Sequence, residues 1–229
     1  MTNASYNQFC PVAMAAEILC TRWTMVLVRE LVAGSTRFND LRRGVPRMSR
    51  TLLAQRLREL EAAGIVERKP VRGTQIVDYI LTPAGRDLFP VVEAFGLWGQ
   101  KWVRSQPSLE KLDVSLLMWD MRRNLYPSPL PRRRTVLQFI YHDQPPAKRN
   151  WWLVVEPSGD VDLCLTDPGF EVDLFVTTDL RTMTAVWMGL TTVKASRDKF
   201  ELDGRRDVAS TMQKWLGLSP FAAQQKLAS

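Results

Sequence analysis

The segment from Ser49 to Gly64, SRTLLAQRLRELEAAG, constrains the fold more than any other part of the chain. Ser49 is a good N-cap, and Gly64 is the usual type of residue for ending a helix. Between them, Leu53, Leu57 and Leu60 recur at spacings of four and three residues, which places them on one face of a helix. The segment therefore predicts an amphipathic helix whose leucine face packs against a small core.

Upstream of this helix, the sequence predicts three shorter helices. Pro11–Cys20 and Trp23–Leu31 are apolar segments, and FNDLRR around Asp40 forms the third helix. Pro46 disfavours helical geometry in the residue before it, so a turn should separate the third helix from Ser49. A helix, a turn and a capped helix in this order are typical of a helix-turn-helix.

Downstream, the segment IVERKPVRGTQIVDYILT predicts a hairpin with strands at Ile65–Lys69 and Ile76–Leu81, which would form a wing. A further helix should begin after Thr82, with an apolar stripe too long for a small domain to cover. We therefore expect a partner subunit on that stripe. Its members are Leu88, Val91, Val92, Phe95, Trp98 and Trp102.

The face of the Ser49 helix opposite the leucines carries polar side chains. Steps of 100° per residue put Thr51, Gln55 and Arg58 there, with Arg50 at the leading end. Guanidinium, amide and hydroxyl groups read base edges in the major groove, although the same residues also suit an ordinary solvated face. The predicted DNA-contacting residues are Arg42, Arg43, Arg47, Ser49, Arg50, Thr51, Gln55, Arg58, Arg68, Lys69 and Arg72.

Charge is unevenly distributed along the chain. Residues 1–105 contain 15 Lys and Arg against 9 Asp and Glu, whereas residues 106–229 contain 16 against 15. A basic excess confined to one part of a chain is expected of a phosphate-binding surface, although mild basicity is also common in proteins that never bind nucleic acid.

The sequence changes character after residue 105, which predicts two domains, 1–105 and 106–229. Helices are expected at Leu109–Leu125, Leu180–Gly189 and Val208–Leu216. The fold class expected is a mainly α winged helix-turn-helix domain followed by an α+β domain with a mostly antiparallel sheet. The strands of that sheet are expected at Thr135–Tyr141, Trp151–Glu156, Val161–Thr166 and Glu171–Thr177.

The first domain resembles the HxlR-type branch of the MarR-like regulators. The matching segments are Cys10-Pro11-Val12, TRWTMVLVREL from Thr21, RFNDLRRGVPRMSRTLLAQRLRELEAAGIVERK from Arg37, and YILTPAGRDL from Tyr79. The resemblance covers almost all of residues 8–103. It implies a homodimer that binds double-stranded DNA at a near-palindromic operator, with recognition helices in successive major grooves.

Cys10 precedes Pro11, which favours the first position of a helix and makes Cys10 the N-cap. There the helix dipole and free amides stabilise a thiolate, which lowers the thiol pKa and raises its reactivity. The resemblance implies a redox- or electrophile-sensing role, because several HxlR-type proteins use this cysteine in that way. The alternative is an inert, half-buried cysteine. Cys20 stands where the family usually has glycine, and we interpret it as a packing residue.

The second domain resembles the sterol-carrier-protein fold over about residues 131–218, in WWLVVEPSGDVDLCLTDPGFEVDLFVTTDLRTMTAVWMGL and FELDGRRDVASTMQKWLGLSP. The resemblance implies an apolar ligand held between the sheet and its helices. The same aromatic side chains would also be expected in a fully packed core. The predicted ligand-lining residues are Trp119, Phe139, Trp152, Val154, Leu163, Leu174, Trp187 and Trp215.

Several classes of protein are not indicated. His142 is the only histidine, and the sequence contains no metal-ligand pair, nucleophile elbow, Walker loop or dinucleotide-binding motif, so no enzyme, metal or cofactor is expected. Three cysteines at irregular spacing fit no disulfide framework. The sequence has neither an apolar stretch approaching about 20 residues nor a secretory signal, which predicts a cytoplasmic protein without a membrane partner.

Together these observations favour a homodimeric, sequence-specific DNA-binding transcriptional regulator, modulated by a small hydrophobic effector in the second domain. One alternative is a regulator gated by oxidation of Cys10. Another, from a different class, is a lipid carrier, which the second domain would permit but the first would not explain.

Overall fold

The structure is a computed structural model that describes residues 5–104, 109, 112–224 and 227. The chain divides into two units, Met1–Gly96 and Leu97–Ser229. The domain boundary expected between residues 105 and 106 lies outside the described residues and stays a prediction. None of the described helices alone is long and apolar enough to cross a membrane; Pro11–Leu19 and Thr24–Val32 meet that requirement only as a pair, bent by 85°.

The first unit consists of helices and one hairpin. The helix expected after Ser49 begins there, because the Ser49 hydroxyl accepts a hydrogen bond from the Leu52 N–H at 3.2 Å. Gly64 follows its last turn with φ +71°, a conformation that favours glycine. The elements are α1 (Pro11–Leu19), α2 (Thr24–Val32), α3 (Phe38–Gly44), α4 (Arg50–Ala62), β1 (Val66–Pro70), β2 (Val77–Leu81), α5 (Pro83–Arg86) and the first part of α6 (Phe89–Trp102), whose residues 97–102 belong to the second unit.

An apolar core holds α4 against α2. Leu53, Leu57 and Leu60, the positions expected to face inward, are buried in one cluster with Leu27 and Leu31 of α2. Burying a large apolar side chain stabilises a fold by about 1.5–3 kcal/mol. The leucine face of α4 is therefore its attachment to the unit.

Polar groups fix the end of α3 relative to α2. Glu30 is fully buried near the end of α2, where it forms an ion pair with Arg29. The Arg29 Nη2 also donates to the Gly44 carbonyl at 3.0 Å, and a Cβ at Gly44 would overlap the Glu30 carboxylate. The turn that leads from α3 into α4 therefore starts from a fixed point.

The wing is the antiparallel hairpin of β1 and β2. Two contacts attach it to the segment before α3. The Tyr79 N–H donates to the Thr36 carbonyl at 2.8 Å, and the Arg37 Nε donates to Asp78 Oδ1 at 2.6 Å. These contacts hold the wing beside α3.

The second unit is an α+β domain built around five strands. The helix expected over Val208–Leu216 is divided at Thr211, whose hydroxyl donates to the Asp207 carbonyl at 2.8 Å. Such a side-chain hydrogen bond competes with a continuous helical backbone. The elements are α7 (Val114–Asn124), β3 (Thr135–Tyr141), α8 (Pro146–Arg149), β4 (Asn150–Val155), β5 (Val161–Cys164), β6 (Leu174–Thr178), α9 (Leu180–Trp187), a 3-10 turn (Arg197–Lys199), β7 (Glu201–Gly204), α10 (Arg206–Ser210) and α11 (Met212–Trp215).

The sheet is mixed, which corrects the expectation of a mostly antiparallel one. Its strand order is β5-β4-β3-β6-β7, and β3 and β6 at its centre are parallel neighbours. Residues 165–173 carry the chain from the β5 edge past β4 and β3, so that β6 enters in the direction of β3. The sequence does not predict β7, because its four residues are mostly exposed and show no apolar alternation.

One face of this sheet carries the larger core. Side chains alternate along β3, so Phe139 and Tyr141 lie on the same side and both are fully buried. The Tyr141 hydroxyl donates to Met118 Sδ of α7 at 3.1 Å, and burial raises the pKa of Tyr141. The Trp215 indole N–H donates to the Val208 carbonyl at 2.8 Å, so this buried donor also has a partner.

Candidate nucleic-acid interface

α4 directs a polar face to solvent because its leucine face is buried. Arg50, Thr51 and Arg58 are exposed, and Gln55 is partly buried. Ser49 is exposed as well, although its hydroxyl oxygen already accepts the N-cap hydrogen bond. The structure thus brings these five predicted DNA-contacting residues together on one helix and its cap.

The residues predicted near α3 are also exposed. Arg42 and Arg43 lie in the last turn of α3, and Arg47 lies in the turn before α4. Arg43 Nη1 pairs with Asp40 Oδ1 at 3.2 Å. An exposed pair of this kind contributes at most about 1 kcal/mol, so it does not prevent a contact with phosphate.

The wing carries the remaining predicted residues. Arg68, Lys69 and Arg72 are all exposed, and Lys69 Nζ pairs with Glu67 Oε1 at 2.6 Å. A groove of about 590 Å³ lies between α3 and the wing, and Arg68 is one of its lining residues. The wing therefore offers cationic side chains beside an open, partly basic groove.

Gln55 belongs to a hydrogen-bonded group that the sequence does not predict. Its Nε2 donates to Glu59 Oε1 at 2.9 Å, and Arg56 pairs with the other oxygen of Glu59. The Arg56 Nε also donates to the Arg22 carbonyl at 3.3 Å. Burial opposes ionisation of Glu59, but hydrogen bonds from Gln55 and Arg56 and the charges of Arg56 and Arg58 hold the pKa of Glu59 below its usual value. The sequence does contain one indication of this group, because Arg56 and Gln55 precede Glu59 by three and four residues, the spacings at which side chains meet on a helix.

α1 and α6 present large apolar side chains to solvent. Neither helix contains a buried residue, although Leu88 before α6 and Val92 within it pack against the core of the first unit. The predicted stripe therefore divides into an anchoring pair and an outward line, and Val12 and Met14 of α1 are also exposed. The outward line consists of Val91, Phe95, Trp98 and Trp102, each at least 45% exposed.

The eight predicted ligand-lining residues fall into two groups. Side chains alternate along β4, so Leu153 belongs to the core of the second unit while Trp152 and Val154 do not. Trp119 is likewise buried outside that core cluster, and the Trp152 indole N–H has no hydrogen-bond partner among the described residues. The other five lie in the cluster or pack against it: Phe139, Leu163, Leu174, Trp187 and Trp215.

Comparison with known proteins identifies the first unit. The profile of the HxlR-like helix-turn-helix family matches residues 18–107. YvaP of Bacillus subtilis, an uncharacterized HTH-type transcriptional regulator, is 33% identical over 99 residues, which are 42% of this chain and 92% of YvaP. This chain belongs to the HxlR-like helix-turn-helix family.

Other similar proteins are also named as regulators. YybR of Bacillus subtilis, another HTH-type transcriptional regulator, is 37% identical over 92 residues, 40% of this chain and 74% of YybR. Among solved structures, the redox regulator HypR in its reduced form has 34% sequence identity and a TM-score of 0.39, over 44% of this chain and 98% of HypR. This HxlR-like chain is a transcriptional regulator, a class that generally has no enzymatic activity.

Cys10 is the N-cap of α1 in the HxlR-like unit, as Pro11 predicts. Its thiol does not form a side-chain cap hydrogen bond of the kind that Ser49 forms in α4. The backbone N–H groups of Ala13 and Val12 nevertheless lower the pKa of the Cys10 thiol, because they favour the thiolate. The position therefore supports a reactive cysteine.

The two other cysteines differ from Cys10. Cys20, interpreted from the sequence as a packing residue, is instead exposed at the C-terminal end of α1. Cys164 is half-buried on β5, where burial and then the charge of Asp162 raise the pKa of its thiol. Cys164 is therefore a suitable internal comparison for Cys10.

We expect Cys10 to become reactive at a lower pH than Cys164. The thiolate is the nucleophile, so a lowered pKa extends alkylation to lower pH, whereas a raised pKa shifts it to higher pH. Two double variants, Cys20→Ser with Cys164→Ser and Cys20→Ser with Cys10→Ser, would be alkylated with iodoacetamide and followed by intact mass. The midpoints of the rate–pH profiles are compared, since burial alters rates as well. Equal or reversed midpoints would contradict the prediction.

Proposed function

We propose that the chain is a sequence-specific DNA-binding transcriptional regulator that works as a homodimer on a near-palindromic double-stranded operator. α4 is its recognition helix, and the wing contacts flanking phosphates or the minor groove. One observation carries the proposal: the leucine face of α4 is buried, so the face with Arg50, Thr51 and Arg58 is exposed. Such side chains supply the donors and acceptors that read base edges in the major groove.

The proposal divides the polar residues into two roles. Gln55 and Arg58 lie on the face opposite the leucines and read bases. Arg42 and Arg43 lie at the end of α3, before the turn into α4, and hold the protein on the phosphate backbone. The basic excess of residues 1–105 supports the phosphate-binding role, because affinity for the DNA backbone depends on the number of neutralised phosphates.

Arg58→Ala and Arg42→Ala should weaken DNA binding in different ways. Loss of a base contact should cost about 1–3 kcal/mol on the operator and little on random DNA. Loss of a phosphate contact should weaken all sequences alike and reduce the salt slope by about 1. Fluorescence anisotropy with a duplex selected by the wild type and a scrambled duplex, over a salt series, measures both. Equal losses on the two duplexes for Arg58→Ala would remove the base-reading role.

The homodimer is supported by the apolar surfaces of α1 and α6. The outward line of α6 repeats at spacings of four, three and four residues, which is the pattern of a helix seam that another helix covers. Soluble monomers rarely expose contiguous apolar patches of this kind. A second copy of the same chain provides the matching surface, and two-fold symmetry then fits a near-palindromic operator.

Replacing Trp98 and Trp102 together by alanine should weaken the dimer. The two indoles supply much of the exposed apolar area of the α6 line, so their removal lowers the free energy gained on association. Sedimentation velocity over a dilution series would follow the monomer fraction. Tyr126→Ala is the matched control, since this tyrosine is equally exposed but lies off the line. A wild-type chain that is monomeric throughout the series would contradict the dimer.

We also propose that the second unit is a sterol-carrier-like domain that binds a small apolar effector. One face of its sheet carries a large apolar core, and Trp152, buried on the opposite face of β4, adds a specific requirement. A buried donor without an acceptor costs about 1–3 kcal/mol, so a ligand oxygen beside the Trp152 indole would be favoured there. An effector must bind two states of the regulator with different affinity, and couplings of about 1–3 kcal/mol correspond to about 5- to 150-fold in DNA binding.

Operator binding should therefore respond to a panel of fatty acids, acyl thioesters and sterol-like compounds. Trp152→Phe removes the indole donor while keeping an aromatic ring, so it should reduce the response without changing operator affinity in the absence of ligand. Trp151→Phe is the matched control, because the Trp151 indole already donates to the Lys148 carbonyl at 2.8 Å. An unchanged operator affinity across the panel would remove the effector role. Ligand binding without that response would favour the lipid carrier.

Oxidation at Cys10 is the alternative input to the same regulator. The lowered pKa of its thiol and its position at the start of α1 favour this alternative. Mild oxidants applied to the wild type and to Cys10→Ser distinguish it from the effector, since only the wild type would then lose or gain operator affinity.

A further inference from the structure

The side chains of Gln55, Glu59 and Arg56 form a continuous hydrogen-bonded chain along α4 that ends at the Arg22 carbonyl. We infer that Glu59 is a positioning residue, which orients the Gln55 amide so that Gln55 reads adenine in the operator. This inference rests on the proposed function and adds to it a base preference and the residue that sets it.

The direction of the Gln55 amide follows from hydrogen-bond chemistry. An ionised carboxylate only accepts hydrogen bonds, so the amide NH₂ of Gln55 faces Glu59 and its Oε1 faces away. One N–H is used in this contact, which leaves one N–H and the carbonyl oxygen for another partner. Adenine presents an acceptor, N7, beside a donor, the N6 amine, at its major-groove edge, and this pair matches what remains on Gln55.

Glu59 is held in place from its other side. The Arg56 guanidinium pairs with the second carboxylate oxygen, and its side chain is only 13% exposed. The contact of Arg56 with the Arg22 carbonyl restricts Arg56 in turn. A carboxylate on a DNA-facing helix repels phosphates, which is unfavourable for binding. Orientation of the Gln55 amide is the benefit that would offset this repulsion. The lowered pKa of Glu59 keeps the acceptor-only form present at neutral pH.

Without Glu59 the order of donor and acceptor on Gln55 is no longer fixed. Rotation of the amide by about 180° exchanges its nitrogen and oxygen, which differ in what they bind. Glu59→Gln keeps the size of the side chain but offers both an acceptor and a donor to Gln55. Both amide orientations then find a partner, and the preference for adenine should relax.

Selection of duplexes from a randomised library by the full chain tests the inference. Gln55→Ala identifies the operator position that Gln55 reads, and adenine should be enriched there with the wild type. At that position, Glu59→Gln should reduce the ratio of adenine to guanine about fivefold or more. Glu61→Gln is the matched control, because it removes the same charge from the same helix, whereas the Gln55 amide donates to Glu59. It should leave the ratio unchanged.

The possible failures are distinguishable. A wild type that selects no motif would overturn both the inference and the proposed function. A motif that Gln55→Ala leaves intact would overturn the inference together with the base-reading role of Gln55, but it would leave the sequence-specific regulator itself standing. The inference would also fail if Glu59→Gln kept the adenine preference, or if Glu61→Gln lost it equally. Thermal unfolding of each variant, expected to match the wild type, separates altered reading from altered folding.

Discussion

The burial of the leucine face of α4 is the constraint on which the candidate nucleic-acid interface depends. Leu53, Leu57 and Leu60 share a core with Leu27 and Val28, and each of the five has 1% or less of its surface exposed. Turning α4 by one residue would expose several of these side chains, each at a cost of about 1.5–3 kcal/mol. Apolar packing, rather than any polar contact, therefore decides which side chains of α4 face outward.

Local signals explain why the first unit is predictable from the sequence. The N-cap at Ser49, the glycine at position 64 and the leucine spacing all lie within α4, and its observed bounds agree with the prediction. The sheet of the second unit is less predictable, because strand pairing joins distant segments. Leu137 of β3 pairs with Leu174 of β6 in parallel register, and neither strand carries a mark of its direction or its neighbour.

In the candidate sites as well, features set within one helix are predictable from the sequence, whereas contacts between distant segments are not. The helical wheel suffices to predict that Arg58 is exposed, whereas the contact of Arg56 with the Arg22 carbonyl depends on how α4 packs. The apolar character of the side chains is the only sequence feature that marks individual ligand-lining residues. Since WWLVV in β4 is apolar at every position, its sequence does not tell whether Trp152 or Leu153 lies on the face that carries the core.

The hydrogen bond from Arg56 to the Arg22 carbonyl also connects α4 to the segment that follows α1. Arg22 and Trp23 form the connection between α1 and α2, and Trp23 has φ +79°, a left-handed conformation that is unfavourable for a bulky side chain. Strained backbone of this kind costs about 1–3 kcal/mol and persists only where surrounding contacts enforce it. The hydrogen bond from Arg56 is one such contact. A displacement of α1, whose N-cap is Cys10, would therefore act on α4 at the residue that holds Glu59.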